Sequence, residues 1–461
     1  MNRLLKYHLY IIGFLALIAA TLWINWNCPP NYDEAHAWNI ARYLSPTEIF
    51  AVSKTEGHPF LWYFLLMPLA KFNFLYPYAL YFLNLILILG AFYLLYKYAP
   101  FPTYIKYLIT FSAPFLQLYT AFARSYSLTI LLLFTALALY PKRHQKQLFY
   151  LFTLFLLANT NLIGIFLALS LGSIYLFENL QNYYSSAKQN FRPLFYTLNF
   201  ALIECLFLIL QFYDYDRNIP KHTPISNSLQ LDITNALAPL NIYTYTVIII
   251  CSLILFIKNH AYSAFFLLTI FYTQLIILFT SIYHGAIHHH LFLYIGLIAA
   301  FWLSASNRIL TKTTFLPLAL VASALIFNPN IQFKLKDKAY LNQLKSSAHA
   351  INRFFPQDSH QQLLVLEHFD ANIILPYLND NITLLNQTMT DFTTLKAFNE
   401  SLHHIYILIN RYRIIDAINT KPDILLYRSC GRNFYQNELL TFNLKYRLND
   451  KYCIYTINSR F

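Results

Sequence analysis

The chain has 461 residues, of which 57% are hydrophobic, 18% aromatic and only 11% charged, and its net charge is +13. Soluble domains carry about a quarter charged residues, so this composition excludes an ordinary soluble globule and fits a polytopic membrane protein, where charge in hydrocarbon is costly. The positive balance is read by where it falls along the chain, and no nucleic-acid partner is expected from it.

Apolar segments fall at 9–26, 78–96, 107–120, 126–140, 148–160, 162–177, 194–213, 241–257, 262–282, 291–305 and 313–327, predicting about eleven transmembrane helices. Many of the 38 Tyr lie near the ends of these runs, where interfacial anchors sit. Residues 9–26 have a basic flank and an apolar core, but no small-x-small cleavage site follows, which predicts a retained first helix.

A cytoplasmic N-terminus leaves twelve Lys and Arg in the short inner loops, against six in the outer loops before residue 329. That asymmetry satisfies the positive-inside rule. It places the unusual polar clusters on the outer face: Asp33 with Glu34, Glu56 with His58, Arg124, Asp214 with Asp216, and His288, His289 and His290.

The first outer loop, residues 27–77, is too long for a simple connector. It begins NYDEAHAWNIARYL, which reads as a helix with Asp33 able to cap it and with Glu34, Trp38 and Arg42 repeating at i,i+4. Ser45-Pro46-Thr47-Glu48 reads as a capping box with proline at the first helical position, opening a second short helix. Both helices are predicted to lie along the membrane surface, with Trp38, Ile40, Leu44, Ile49 and Phe50 on their apolar faces. The loop returns through EGHPFLWYFLLMP, where Pro59 discourages helix at His58.

Two readings of Asp33 and Glu34 stand side by side. They are acids that favour a helix N-terminus, or a general base beside a membrane-embedded substrate. Arg124, in FARSYSL between apolar runs, needs an anion; a phosphate fits its fork, and so does an acid on a neighbouring loop. HGAIHHHLF, residues 284–292, gathers four His; zinc uses such clusters, but three consecutive His cannot share one helix face, so phosphate or sugar contacts are an equal reading. Glu204, within FALIECLFLIL, is costly in lipid and marks either function or helix packing. Cys205 and Cys251 read as packing residues.

After about residue 328 the composition changes, with 15 Lys and Arg against 11 Asp and Glu. Segments 362–369, 382–387, 423–429 and 451–457 read as strands, and ANIILPYL and the TTLKAFNESLHH region as helices. The predicted architecture is thus an all-α transmembrane bundle over 1–328, followed by a small extracytoplasmic α/β domain over 329–461. Cys430 and Cys453 are either a disulfide or two core thiols.

An acidic pair after the first helix, two juxtamembrane helices and a His-Pro element leading into the next span resemble the GT-C superfamily of integral membrane glycosyltransferases. Within it, the pattern is most similar to the protein mannosyltransferase and aminoarabinose lipid A transferase group. The resemblance covers roughly residues 1–300 and is carried by DEAHAWNIAR, EGHPFLWY and ARSYSL. It implies sugar transfer on the periplasmic face of a bacterial inner membrane, from a polyprenyl-phosphate-linked donor to a protein such as pilin, to lipid A or to a surface glycan. Asp33 would be the general base, with Glu34 orienting or tuning it. Arg124, His58, Glu56, His36, Arg42, His288, His289 and His290 would bind the donor's phosphate and sugar. The lipid A transferases carry a basic residue three positions after the Asp, where this chain has His36. No resident cofactor is expected; oligosaccharyltransferases of the superfamily use a metal with further acidic motifs, a part open to Asp214 and Asp216. A lipid-linked-sugar transporter, marked by inverted repeats and mid-membrane polar groups, and a non-catalytic envelope assembly protein are the competing classes.

Overall fold

The structure is a computed structural model that describes residues 3–56, 58–185, 191–212, 227–306, 312–331, 333–354, 361–365, 368–384, 424–427, 440–447 and 453–459. The early helices are α1 (Arg3–Asn27), α2 (Tyr32–Tyr43), α3 (Pro46–Glu56), α4 (Leu61–Ala70), α5 (Tyr78–Tyr98), α6 (Thr103–Thr110), α7 (Ser125–Leu139), α8 (Gln147–Ala158), α9 (Leu162–Ser185) and α10 (Arg192–Phe212). The later ones are α11 (Asn227–Leu237), α12 (Ile242–Lys258), α13 (Tyr262–Ile277), α14 (Ile287–His290), α15 (Phe292–Ser306), α16 (Leu316–Ala324), α17 (Phe333–Lys336), α18 (Lys338–Phe354) and α19 (His368–Ile374). The chain divides into two compact units. The first comprises Met1–Trp26, Ser53–Leu65 and Leu80–Leu335; the second comprises Asn27–Val52, Leu66–Ala79 and Lys336–Phe461.

The first unit is a helical membrane bundle. Among the described residues, seven helices are long and apolar enough to cross a membrane, or eight if α11 and α12, bent by 70° at their junction, form one span. Leu61–Ala70, Gln147–Ala158 and Leu316–Phe327 are shorter apolar helices. The segment expected as one helix over 107–120 is broken. α6 ends at Thr110, and a wide π-helical turn follows over Pro114–Tyr119. Pro114 has no N–H to continue an α-helical ladder. α15 is the central helix, buried from Phe292 through Ala305. Small residues allow this: a Cβ at Gly296 would stand 2.6 Å from the Phe271 ring of α13.

Several polar groups inside this bundle pair with one another, as a medium without water favours. Asn161 donates to Ser125 Oγ (3.1 Å) and Thr129 Oγ1 (2.8 Å), and its Oδ1 accepts the Gly164 N–H (2.9 Å). Asn159 Nδ2 donates to Glu204 (3.2 Å), and Gln211 Nε2 donates to Asn159 Oδ1 (2.8 Å). Gln211 Oε1 and the Asn159 carbonyl in turn accept the Phe60 and Leu61 N–H groups at the start of α4. Glu204 thus takes part in a network that ties α8, α10 and α4 together.

The second unit contains a five-stranded mixed sheet of order β2-β1-β3-β5-β4, with β1 (Gln361–Val365), β2 (Ile382–Leu384), β3 (Ile424–Tyr427), β4 (Leu440–Arg447) and β5 (Cys453–Ser459). β1 runs parallel to β2 and β3; β5 runs antiparallel to β3 and β4, with a register shift between Leu444 and Tyr446. Chain expected to continue a strand to residue 369 turns into α19 at His368. Leu341, Leu344, Ala348 and Ile351 of α18 share a core with Ile373, Ile374 and Leu375.

The division between units differs from the expected boundary at 328/329, because residues 27–52 and 66–79 of the first loop belong with the C-terminal region. Side chains of α2 make that association. His36 Nδ1 meets Asn372 Oδ1 (3.3 Å), Asn39 Nδ2 donates to the Asn372 carbonyl (3.1 Å), and Arg42 pairs with Asp380 (2.9 Å). Residues Glu34 to Ala41 are all buried, so α2 does not lie on a membrane surface with one face exposed, as amphipathic patterning had predicted. The helix expected over TTLKAFNESLHH, the Asp214/Asp216 motif and Cys430 lie outside the described residues.

Candidate functional site

The residues singled out in the sequence fall into two groups, one on each unit. In the second unit α2 carries Asp33, Glu34, His36 and Arg42. Its N-cap is Asn31, not Asp33: Asn31 Oδ1 accepts the Glu34 N–H (3.1 Å) and Glu34 Oε2 accepts the Asn31 N–H (2.9 Å). Asn31 lies three residues before Glu34, the spacing a reciprocal cap needs, and Asp33 is one residue too close to reach back. Glu34 is therefore fully buried and engaged in the cap, while Asp33 beside it is half-buried.

Around the buried Glu34 lie aromatic groups. The Trp38 and Tyr76 rings are 5.2 Å apart, and Tyr76 meets Tyr377 edge-on at 5.0 Å. Burial pushes both phenols well above their ordinary value, and the Glu34 carboxylate adds to the shift in each, so both stay protonated. His36 stacks on Tyr32 at 5.4 Å. Arg42, expected to bind phosphate, is instead taken up by the exposed carboxylate of Asp380, and its carbonyl accepts from Lys71 Nζ (2.6 Å).

In the first unit Arg124 and several histidines come together. His58, Arg124, His288 and His290 are all close enough to act electrostatically on the His289 ring. Arg124 is buried, at 6% exposure, and stands at the N-cap of α7 without a side-chain cap bond. Glu56 ends α3 and is half-buried.

The three consecutive histidines have three different environments. His290 is fully buried, donates through Nε2 to the His284 carbonyl (2.9 Å) and meets the Phe279 ring edge-on at 4.7 Å. His289 is buried between the Ala286 N–H, which donates to its Nδ1 (3.0 Å), and the Tyr126 hydroxyl, 2.8 Å from its Nε2. His288 alone of the three is half-buried, with its ring 5.0 Å from both Phe122 and Tyr126. His289 and His290 are thus built into the fold, a departure from their expected role as direct phosphate ligands. The cause is geometric, since successive residues on a helix turn by 100° and cannot face one ligand. Among the described residues no three His, Cys, Asp or Glu side chains converge to hold a metal.

Gly285 makes this arrangement possible. Its φ of +82° is a conformation L side chains rarely adopt, and a Cβ there would lie 2.8 Å from His290 Nε2. His284, just before it, pairs with Asp232 of α11 (3.0 Å). The sequence reading passed over Tyr126, two residues after Arg124 in ARSYSL, as well as Gly285. The glycine within an otherwise glycine-poor chain, which has only 8, was the available signal.

Comparison with family models, with curated proteins and with solved structures finds no match to this chain.

Proposed function

We propose that this protein is a membrane glycosyltransferase of the GT-C type, moving a sugar from a polyprenyl-phosphate-linked donor to an acceptor hydroxyl or amide on the periplasmic face of a bacterial inner membrane. The observation that supports the reading is the grouping around His289 of buried Arg124, at the start of α7, with His58 and His288. Such a cluster suits a phosphate that gains charge as its glycosidic bond breaks. The donor binds there through its phosphate. Asp33, at the start of α2, is the base: it takes the acceptor's proton as the acceptor attacks the anomeric carbon, while the carbon–oxygen bond to phosphate breaks and its electron pair leaves with the phosphate oxygen. A single displacement of this kind inverts the anomeric centre. The acceptor is a protein such as pilin, lipid A or a surface glycan.

Eleven crossings, with a C-terminal α/β domain on the periplasmic side, complete this reading. The excess of Lys and Arg in the alternate short loops supports that orientation. The test is the Asp33→Asn variant in membranes loaded with a radiolabelled polyprenyl-phosphate sugar. Insertion should be retained and transfer should fall by about 10²–10⁴-fold, the contribution of a positioned base. Transfer at the wild-type rate removes Asp33 from that role.

A further inference from the structure

The helix α18 turns an apolar face inward and a basic face outward. Leu341, Leu344, Ala348 and Ile351 are buried in the core of the second unit, whereas Lys338, Ser346, His349 and Arg353 are exposed and Lys345 is half-buried. At 100° per residue, Lys338, Lys345, His349 and Arg353 fall within about 80° of the helix circumference and extend along about 22 Å of its length. The helix contains no acidic residue. Among the described residues, none of its Lys and Arg side chains forms an ion pair with a carboxylate. Lys345 Nζ lies over the Tyr377 ring, 5.7 Å from its centroid, and Lys338 Nζ donates to Asn27 Oδ1 (3.0 Å). The charges on this face share one potential: after partial desolvation, Lys345 and Arg353 both lower the pKa of His349.

Asn27 fixes where this face is. It is the last residue of α1, whose stretch Tyr10–Asn27 is long and apolar enough to cross a membrane, and it belongs to the second unit. Asn342 Nδ2 donates to its carbonyl (3.5 Å), so the first two turns of α18 are bonded to the end of that span. The same unit includes Tyr78, where the candidate span Tyr78–Tyr98 begins. Just before it, Phe72 and Phe74 are 56% and 81% exposed, as aromatic side chains at a headgroup layer are. The negative potential of an anionic leaflet reaches about 8 Å into water at physiological salt, so a helix bonded to the end of a span lies within its range.

We propose that the basic face of α18 docks on anionic phospholipid headgroups at the membrane surface where α1 ends. Lys338, Lys345 and Arg353 supply the charge, and the second unit is held on the lipid by this face as well as by the chain. The docking is independent of glycosyl transfer.

The experiment uses the full chain with photoreactive p-benzoylphenylalanine in place of Ser346, which lies beside the basic positions on the exposed face. The protein is reconstituted in nanodiscs of equal parts phosphatidylglycerol and phosphatidylcholine. After illumination, mass spectrometry of the α18 peptide reads which lipid is attached. Phosphatidylglycerol adducts should exceed phosphatidylcholine adducts several-fold, since each Lys or Arg near an anionic surface contributes roughly fivefold. Lys338→Gln/Lys345→Gln/Arg353→Gln should bring the ratio close to one, and Lys338→Arg/Lys345→Arg should keep it. Rising sodium chloride should lower the ratio without any of these substitutions. Absence of lipid adducts, or a ratio near one before neutralisation, makes this a solvated face and overturns the proposal. So does a ratio that the triple variant leaves unchanged. Loss of the ratio in inorganic phosphate beyond that in chloride of equal ionic strength would assign the face to a soluble anion and likewise overturn it.

Discussion

Asp33 and Glu34 in one unit, and His288, His289 and His290 in the other, are runs of like residues whose members the fold separates. In the acidic pair Glu34 is buried in a reciprocal cap with Asn31, and Asp33 is half-buried beside it. In the histidine run His290 is bonded to the His284 carbonyl, His289 lies between a backbone N–H and a phenol, and His288 remains half-buried. The rotation of 100° per residue is the common cause, since it gives neighbours in sequence different neighbours in space. A doublet or triplet of functional residue types is therefore better read as one reactive group with built-in support than as a cluster of equivalents.

The largest effect that can break this comparison lies in the acidic pair. Glutamine serves a capping box as well as glutamate does, so Glu34→Gln should leave transfer within a few-fold of wild type while Asp33→Asn lowers it by about 10²–10⁴-fold. The reverse ranking in a membrane transfer assay would move the base to Glu34 and undo the division of labour. Next is the histidine turn. Gly285→Ala places a Cβ against His290 in a left-handed backbone and should cost about 1–3 kcal/mol, read as a lowered Tm of the solubilised protein. A smaller effect belongs to the cap itself. Asn31→Ala removes the acceptor for the Glu34 N–H and should cost about 1 kcal/mol, with slower transfer if α2 must present Asp33.

The smallest is a pH effect in the second unit. His349 on α18 titrates below its ordinary 6.5, because of partial desolvation of an otherwise exposed ring first and then Lys345 and Arg353 on the same helix. The unfolded chain then takes up the proton first as pH falls. Stability from this group is flat above about pH 7 and is lost as pH drops below 6.5 through the lower folded value. Melting curves across that window should show a shallower acid decline for His349→Gln than for wild type; parallel curves would exclude the histidine as its source.

Local features were legible where their chemistry spans a few residues. The Ser45–Glu48 box makes both of its bonds, with Ser45 N donating to Glu48 Oε2 (2.7 Å) and Glu48 N to Ser45 Oγ (3.4 Å), and that serine holds the Glu48 carboxyl below its usual range. His58 itself is non-helical, and α4 starts at Leu61. β4 was equally readable in the strict alternation of LTFNLKYR and was passed over. The α2 cap was misplaced by two residues because Asn31, Asp33 and Glu34 are all plausible there, and only the reciprocal bond distinguishes them.

The sequence by itself determined the membrane class and the presence of an acidic helix start, a buried-type arginine and a histidine run. Hydrocarbon tolerates little charge, so composition alone reports it, and caps and prolines act within a turn. Only the tertiary structure decided that the first-loop helix belongs to one unit with the C-terminal region. His36 and Asn372, and Arg42 and Asp380, are more than 330 positions apart, and no local pattern encodes such a partner. It likewise decided that Tyr126 joins His289, because that bond closes across 163 residues and the burial of both side chains depends on helices packed from distant parts of the chain.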